Sequence, residues 1–163
     1  MTIDRRFLLK YASLLGPILA LATCASAQSK SNPYACTKDS SPQMCTDQNT
    51  CSSTSCSVDV RRTANAASAT PSIPNAKGNS LFCIKPGTTV QWKSTGKDIG
   101  FVVDFGPASP FDPPRAIIGG TDRTVTVVAK KAGCYKYSAG ACRSGAIYGM
   151  CGQTNAQLII TPN

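Results

Sequence analysis

Nine cysteines and not one histidine in a chain of 163 residues limit what this sequence can build more sharply than any other feature. Cys24 lies within the first 27 residues, and the other eight stand at Cys36, Cys45, Cys51, Cys56, Cys83, Cys134, Cys142 and Cys151. Zinc and iron–sulfur sites usually gather thiolates through close C-x2-C pairs, because two sulfurs must reach one ion. Here the first gaps hold eight, five and four residues, and no gap takes the C-x2-C form. An even set of scattered cysteines reads as four disulfides, provided that the chain is exported to an oxidising compartment. Their pairing stays open at this level.

The amino terminus supplies that condition. Arg5, Arg6 and Lys10 precede an apolar stretch from Tyr11 to Thr23, and Ala25-Ser26-Ala27 follows before Gln28. The order of charged, apolar and small residues is that of a signal peptide over residues 1–27, cleaved after Ala27. Thirteen apolar residues interrupted by Gly16 and Pro17 are too few for a membrane anchor, which needs about 20; no later segment offers a span either. Asp4-Arg5-Arg6-Phe7-Leu8-Leu9-Lys10 resembles a twin-arginine signal, although Asp4 stands where Ser or Thr is usual, and ordinary secretion is the competing route. Leu21-Ala22-Thr23-Cys24 approaches a lipoprotein box, but Thr23 is a poor residue before an acylated cysteine. The expected location is periplasmic or extracellular.

Cleavage removes three of 17 basic and one of 8 acidic side chains, leaving 14 and 7 and a net charge of +7. A surface this basic favours anionic neighbours, so the expected partner is an anionic polymer of the cell envelope or a protein. Nucleic acid is not expected, because neither a run of like charge nor basic residues interleaved with aromatics occurs. Scattered Lys93, Lys97, Lys130, Lys131 and Lys136 also serve to keep strand edges from pairing with other chains.

Residues 28–77 form a cysteine-rich extension and linker of low hydrophobicity. From Gln28 to about Ser57 there is hardly an aliphatic side chain, so this stretch cannot order itself without crosslinks. Val58 and Val60 alternate briefly enough for one edge strand, and Thr63 to Lys77 reverts to small residues and prolines. Over residues 78–163 short runs of period-two alternation are separated by turn residues. Strands are expected at Leu81–Ile84, Thr88–Lys93, Ile99–Phe105, Ala116–Ile118, Arg123–Ala129, Cys134–Ala139 and Gln157–Thr161. No helix-length periodic segment interrupts them, which points to an all-β, antiparallel, two-sheet sandwich. Its core should hold Trp92, Phe101, Val103, Val125, Val127, Tyr135 and Ile159.

Two stretches carry a family resemblance. Lys85-Pro86-Gly87-Thr88-Thr89-Val90-Gln91-Trp92, followed by Asp98-Ile99-Gly100-Phe101-Val102-Val103, resembles the early strands of cupredoxins, where a glycine turn leads into an alternating strand ending in an aromatic. Gly133-Cys134-Tyr135-Lys136-Tyr137, then Gly149-Met150-Cys151-Gly152 and Leu158-Ile159-Ile160, is similar to their later strand, ligand loop and final strand. Ser109-Pro110-Phe111 with the Tyr135/Tyr137 strand also resembles small exported bacterial domains of this kind that lack copper ligands. The resemblance implies a Greek-key sandwich. It does not imply a blue-copper centre, which needs two imidazoles and a thiolate with a weak axial sulfur. Ile99 and Gly100 stand where the first histidine would be, and Met150 occupies the axial position beside no histidine. The expected cofactor is none. Copper, held as Cu(I) by Cys142, Met150 and Cys151 for transport or electron transfer, is the alternative, and a disulfide would consume its thiolates.

Enzymatic chemistry finds little support. Beyond residue 27 the carboxylates are Asp39, Asp47, Asp59, Asp98, Asp104, Asp112 and Asp122, with no glutamate. Several flank turn residues, where aspartate commonly caps loops. Neither a nucleophile elbow nor a phosphate loop nor a redox C-x-x-C pair occurs. The sequence therefore describes an exported, non-enzymatic binding or structural module without catalytic residues. The export route is tested by fusing residues 1–27 to a reporter and replacing Arg5 and Arg6 with lysine. Loss of export marks the twin-arginine pathway, and unchanged export marks ordinary secretion.

Overall fold

Where every second residue is apolar, an extended chain sends its apolar side chains to one face, and the strand is held by burying that face. In β1 (Ser55–Thr63) the buried set is Cys56, Val58 and Val60, and in β2 (Ala66–Pro71) it is Ala67, Ala69 and Pro71. The chain continues through β3 (Phe82–Ile84), β4 (Thr89–Lys93), β5 (Ile99–Asp104), β6 (Phe111–Asp112), β7 (Ile117–Gly120), β8 (Val125–Ala129), β9 (Gly133–Arg143) and β10 (Gly152–Ile160). The computed structural model describes residue 36 and residues 42–143 and 151–162. The signal residues Arg5, Arg6, Ala25 and Ala27 lie outside these, as do Cys24 and Met150. Among the described residues the helical content is two short 3-10 turns, Pro42–Met44 and Gly106–Ala108, and no helix is long and apolar enough to cross a membrane.

The hydrogen-bonded order is β6-β8-β4-β1-β2-β10-β9-β5-β7, with β3 on β10. A single pair, Ala66 with Gln153, joins β2 to β10. The strands thus form two layers, β6-β8-β4-β1-β2 against β3-β10-β9-β5-β7. The sheets are mixed, which corrects the antiparallel expectation: β1 runs parallel to β4, and β10 runs parallel to both β2 and β3. After the β1–β2 hairpin the chain crosses to the other sheet as β3 and re-enters beside β1 as β4, in the direction β1 already has. A second correction concerns residues 55–71. They are not a linker: β1 lies between β4 and β2 inside the first sheet and is no edge strand, and β2 forms the margin of that sheet. Val58 and Val60 are few, yet both are fully buried, and the small Ala67 and Ala69 of β2 lie level with Arg62 and Val60. The free side of β2 is covered locally: Asn79 donates its N–H to the Ala69 carbonyl (2.8 Å), and its side-chain oxygen accepts from the Ala69 N–H (2.9 Å). This imitates a strand and blocks edge pairing.

Trp92 joins the layers. Its ring meets Tyr137 of the opposite sheet edge-on at 5.5 Å, Phe105 at 6.1 Å and Phe111 at 6.4 Å. Edge-to-face pairs add about 0.5–1.5 kcal/mol each beyond area burial. Phe101, Val103 and Val127 are buried in the core as expected, and Val125 and Tyr135 are half-buried against it, whereas Ile159, also expected there, is buried on the other face of β10, whose core residues are Leu158 and Ile160. Val125 begins β8 beyond the short reach of β6, which pairs only with Val128 and Ala129. Tyr135 lies at the rim, where its hydroxyl donates to the Lys131 carbonyl at 3.1 Å.

Four disulfides pair all eight cysteines: Cys36–Cys134, Cys45–Cys83, Cys51–Cys56 and Cys142–Cys151. Two of them strap the extension to the second sheet. Cys83, Ile159 and Cys134 form one row across β3, β10 and β9, and Ile159 points away from the inter-sheet core. Cys45 is bonded on one side of Ile159 and Cys36 on the other, and Ile159 is only 1% exposed. Residues 49–51 run beside β3, with the Cys83 N–H donating to the Asn49 carbonyl and the Cys51 N–H donating to the Cys83 carbonyl. Closing a separation of 98 residues, the Cys36–Cys134 bond removes much chain entropy from the unfolded state.

Two outcomes follow from this packing. A Cβ at Gly119 would lie 2.5 Å from the Phe101 ring and 2.7 Å from the Arg123 carbonyl, so Gly119→Ala should lower stability by about 1–3 kcal/mol in urea unfolding. Tyr137 is fully buried and has no hydrogen-bond partner among the described residues; burial pushes its phenol above the usual value of 10.0. The unfolded chain ionises this tyrosine first, so stability is intact below about pH 10 and declines as pH rises further. Phenolate absorbance should therefore show Tyr137 titrating only as the fold is lost.

Candidate anion-binding site

One end of the sandwich gathers the β1–β2 turn, the β4–β5 loop and the last residue of β9. Strand alternation explains which side chains arrive there. Arg62 and Arg143 have the parity of core residues, being opposite Ala67 and Ile99 respectively. Each lies where its strand outruns the core, Arg62 half-buried and Arg143 exposed, so the charge that a core position would exclude remains in water. The Arg62 Nε–H donates to the Ala64 carbonyl at 3.1 Å. Ala64 itself has φ +50°, a left-handed conformation that makes the two-residue turn between Thr63 and Ala66 possible.

The β4–β5 loop, which carries Lys97, is braced from both sheets. Asp59 of β1 accepts from the Thr95 N–H (2.9 Å) and the Thr95 hydroxyl (2.8 Å), and its carboxylate also pairs with Arg61. The Thr121 hydroxyl oxygen accepts from the Ile99 N–H (3.0 Å) and donates to the Gly96 carbonyl. Arg61, Arg62, Lys97 and Arg143, with Ala64, Gly96 and Ile99, line a surface hollow of about 420 Å³. The lining contains no carboxylate. The charge of Arg61 is balanced by Asp59, so among the described residues Arg62, Lys97 and Arg143 supply three uncompensated cations around one concavity, which attract an anion, and a guanidinium can grip two oxygens of a carboxylate, sulfate or phosphate at once. A neighbouring hollow shares Ile99 and Arg143 but also holds Asp98 and Asp122, so its charge is mixed.

Of the lysines singled out by sequence, Lys97 lies in the cationic hollow and Lys93 faces outward from β4. Lys130 and Lys131 belong to the opposite end, beside the β8–β9 turn, where the Lys130 N–H donates to the Pro110 carbonyl. The proposed sulfur ligands take another form: Cys142 and Cys151 are bonded to each other across the β9–β10 hairpin, so neither offers a thiolate, and Met150 lies outside the described residues. Among the described residues no three Cys or Asp side chains converge as a metal site requires. Asp59 and Asp104 serve the fold, the latter through an oxygen that accepts from the Gly106 N–H at 2.8 Å. Arg61, Arg62 and Arg143 escaped the sequence reading. The Arg61-Arg62 pair just before a turn was the available signal, but nothing local links it to Arg143, which stands 81 positions beyond Arg62 in the chain. No protein-family model matches this chain, and no curated protein matches it.

Proposed function

We propose that this chain is an exported, non-enzymatic binding module of the cell envelope, periplasmic or extracellular, which holds an anionic polymer at the basic end of its sandwich. The observation that carries this reading is the convergence of Arg62, Lys97 and Arg143, beside the Asp59-paired Arg61, on one hollow without a carboxylate in its lining. The four disulfides support an oxidising compartment. A cupredoxin-like, Greek-key kinship is part of the same proposal. It draws on the two-layer packing, on the Lys85-to-Trp92 stretch as a turn leading into a strand that ends in the central aromatic, and on the β9–β10 hairpin. Copper handling has weaker support, because the Cys142–Cys151 bond occupies both candidate thiolates.

The test is retention of the mature protein on isolated envelope fractions at increasing salt. Binding at low ionic strength should be released as salt screens the cations, since exposed charges interact over about 10 Å at 0.1 M salt. The double variant R62E/R143E should lose most of the retention while keeping the same unfolding midpoint. Absence of retention at low salt, or retention indifferent to the charge reversal, would overturn the proposal.

A further inference from the structure

Arg61 belongs to two concavities. Besides the cationic hollow, it lines a second one of about 500 Å³ on the outer face of the first sheet. That face is built by strand register. Lys93, Asp59 and Thr70 form one row across β4, β1 and β2, and Arg61 lies opposite Ser68 in the next. The lining carries six hydroxyl side chains, Ser57, Thr63, Ser68, Thr70, Ser72 and Thr95, with the cations Arg61 and Lys93. Its one carboxylate, Asp59, is already engaged by Arg61 and Thr95. The two hollows therefore adjoin at Arg61, and together they offer a track that is hydroxyl-lined along the sheet and cationic at the end of β1.

We infer that the occupant of this track is a polysaccharide bearing acidic groups, an inference that rests on the anion-binding reading above. A hydroxyl both donates and accepts, so a row of short Ser and Thr side chains matches sugar hydroxyls with little rotamer entropy to lose. Ser68 and Thr70, half-buried beside Gly78, contact each other at 3.3 Å, which holds them side by side on β2. The charge of the ligand would be met by Lys93 along the sheet and by Arg62, Lys97 and Arg143 at its end, Arg61 being paired with Asp59. Single-stranded nucleic acid would call for aromatic stacking platforms, and a membrane surface for protruding apolar residues. The lining of both hollows has no aromatic side chain, and its apolar members are Pro71, Ala64 and Ile99.

The decisive measurement compares binding of the mature protein to polygalacturonate and dextran sulfate with binding to polyglutamate and duplex DNA, at matched charge concentration and salt. At least one acidic polysaccharide should bind about tenfold more tightly than polyglutamate, which carries charge without sugar hydroxyls. Thr70→Val, nearly isosteric, should weaken that complex about fivefold, the worth of one hydrogen bond, and leave polyglutamate binding unchanged. Ser68→Ala supplies a second reading of the same effect should the valine disturb the strand, and both variants are compared at an equal unfolding midpoint. Equal affinity for polysaccharides and polyglutamate, indifferent to both hydroxyl variants, would overturn the track and leave the anion-binding reading standing. Tighter binding of DNA than of either polysaccharide would also overturn it. Binding to none of the four would remove both.

Discussion

Trp92 sits where the two sheets must meet, and its burial depends on partners from distant parts of the chain. It lies level with Val58 of the neighbouring parallel strand, and its ring is met edge-on by Tyr137 across the sandwich and by Phe105 and Phe111 beside it. Around this cluster the core combines large side chains such as Phe82, Leu158 and Ile160 with small ones: Ala139, Ala141 and Ala156 in the second sheet, and Ala67 and Ala69 in the first. Small side chains let the sheets close around the large rings without voids. They also explain why the strand signal is faint in β2 and in the later part of β9, which have few of the β-branched and aromatic residues that usually mark a strand.

What packing leaves undone, covalent bonds complete. The residues before β1 have almost nothing to bury, and they are held by sulfur on both sides of Ile159 and by main-chain bonds along β3. The result is a second, smaller buried region on the outer face of the second sheet. A side chain that alternation assigns to the solvent side, Ile159, is thereby covered. The Cys51–Cys56 and Cys142–Cys151 bonds act more locally, at the entry to β1 and across the base of the last hairpin.

The functional proposal rests on where strands stop. Arg62 and Arg143 are core-facing by parity, and they become surface cations because β1 and β9 extend past the core. Parallel pairing of β1 with β4 brings the β4–β5 loop and Lys97 to the same end, and Asp59 and Thr121 clamp that loop in place. The hydroxyl face of the first sheet is the other consequence of the same alternation, since the residues between the buried ones in β1 and β2 are Ser, Thr, Asp and Arg.

By itself the sequence determined that the described chain is all-β, that its cysteines form disulfides, and which side chains of β4, β5 and β8 turn inward, though in β10 it chose Ile159 where Leu158 and Ile160 face the core. These follow from local period, turn residues, and the count and spacing of cysteines. Tertiary structure alone decided that β1 lies inside a sheet with β2 beside it, that the sheets are mixed, and which cysteine meets which. Only it could bring Arg61, Arg62, Lys97 and Arg143 to one hollow. The reason is that alternation records which face a residue occupies and says nothing of which strand lies beside it. A site made from the ends of three separated segments has no period, spacing or composition of its own, and exists only once the sheet order has brought those ends together.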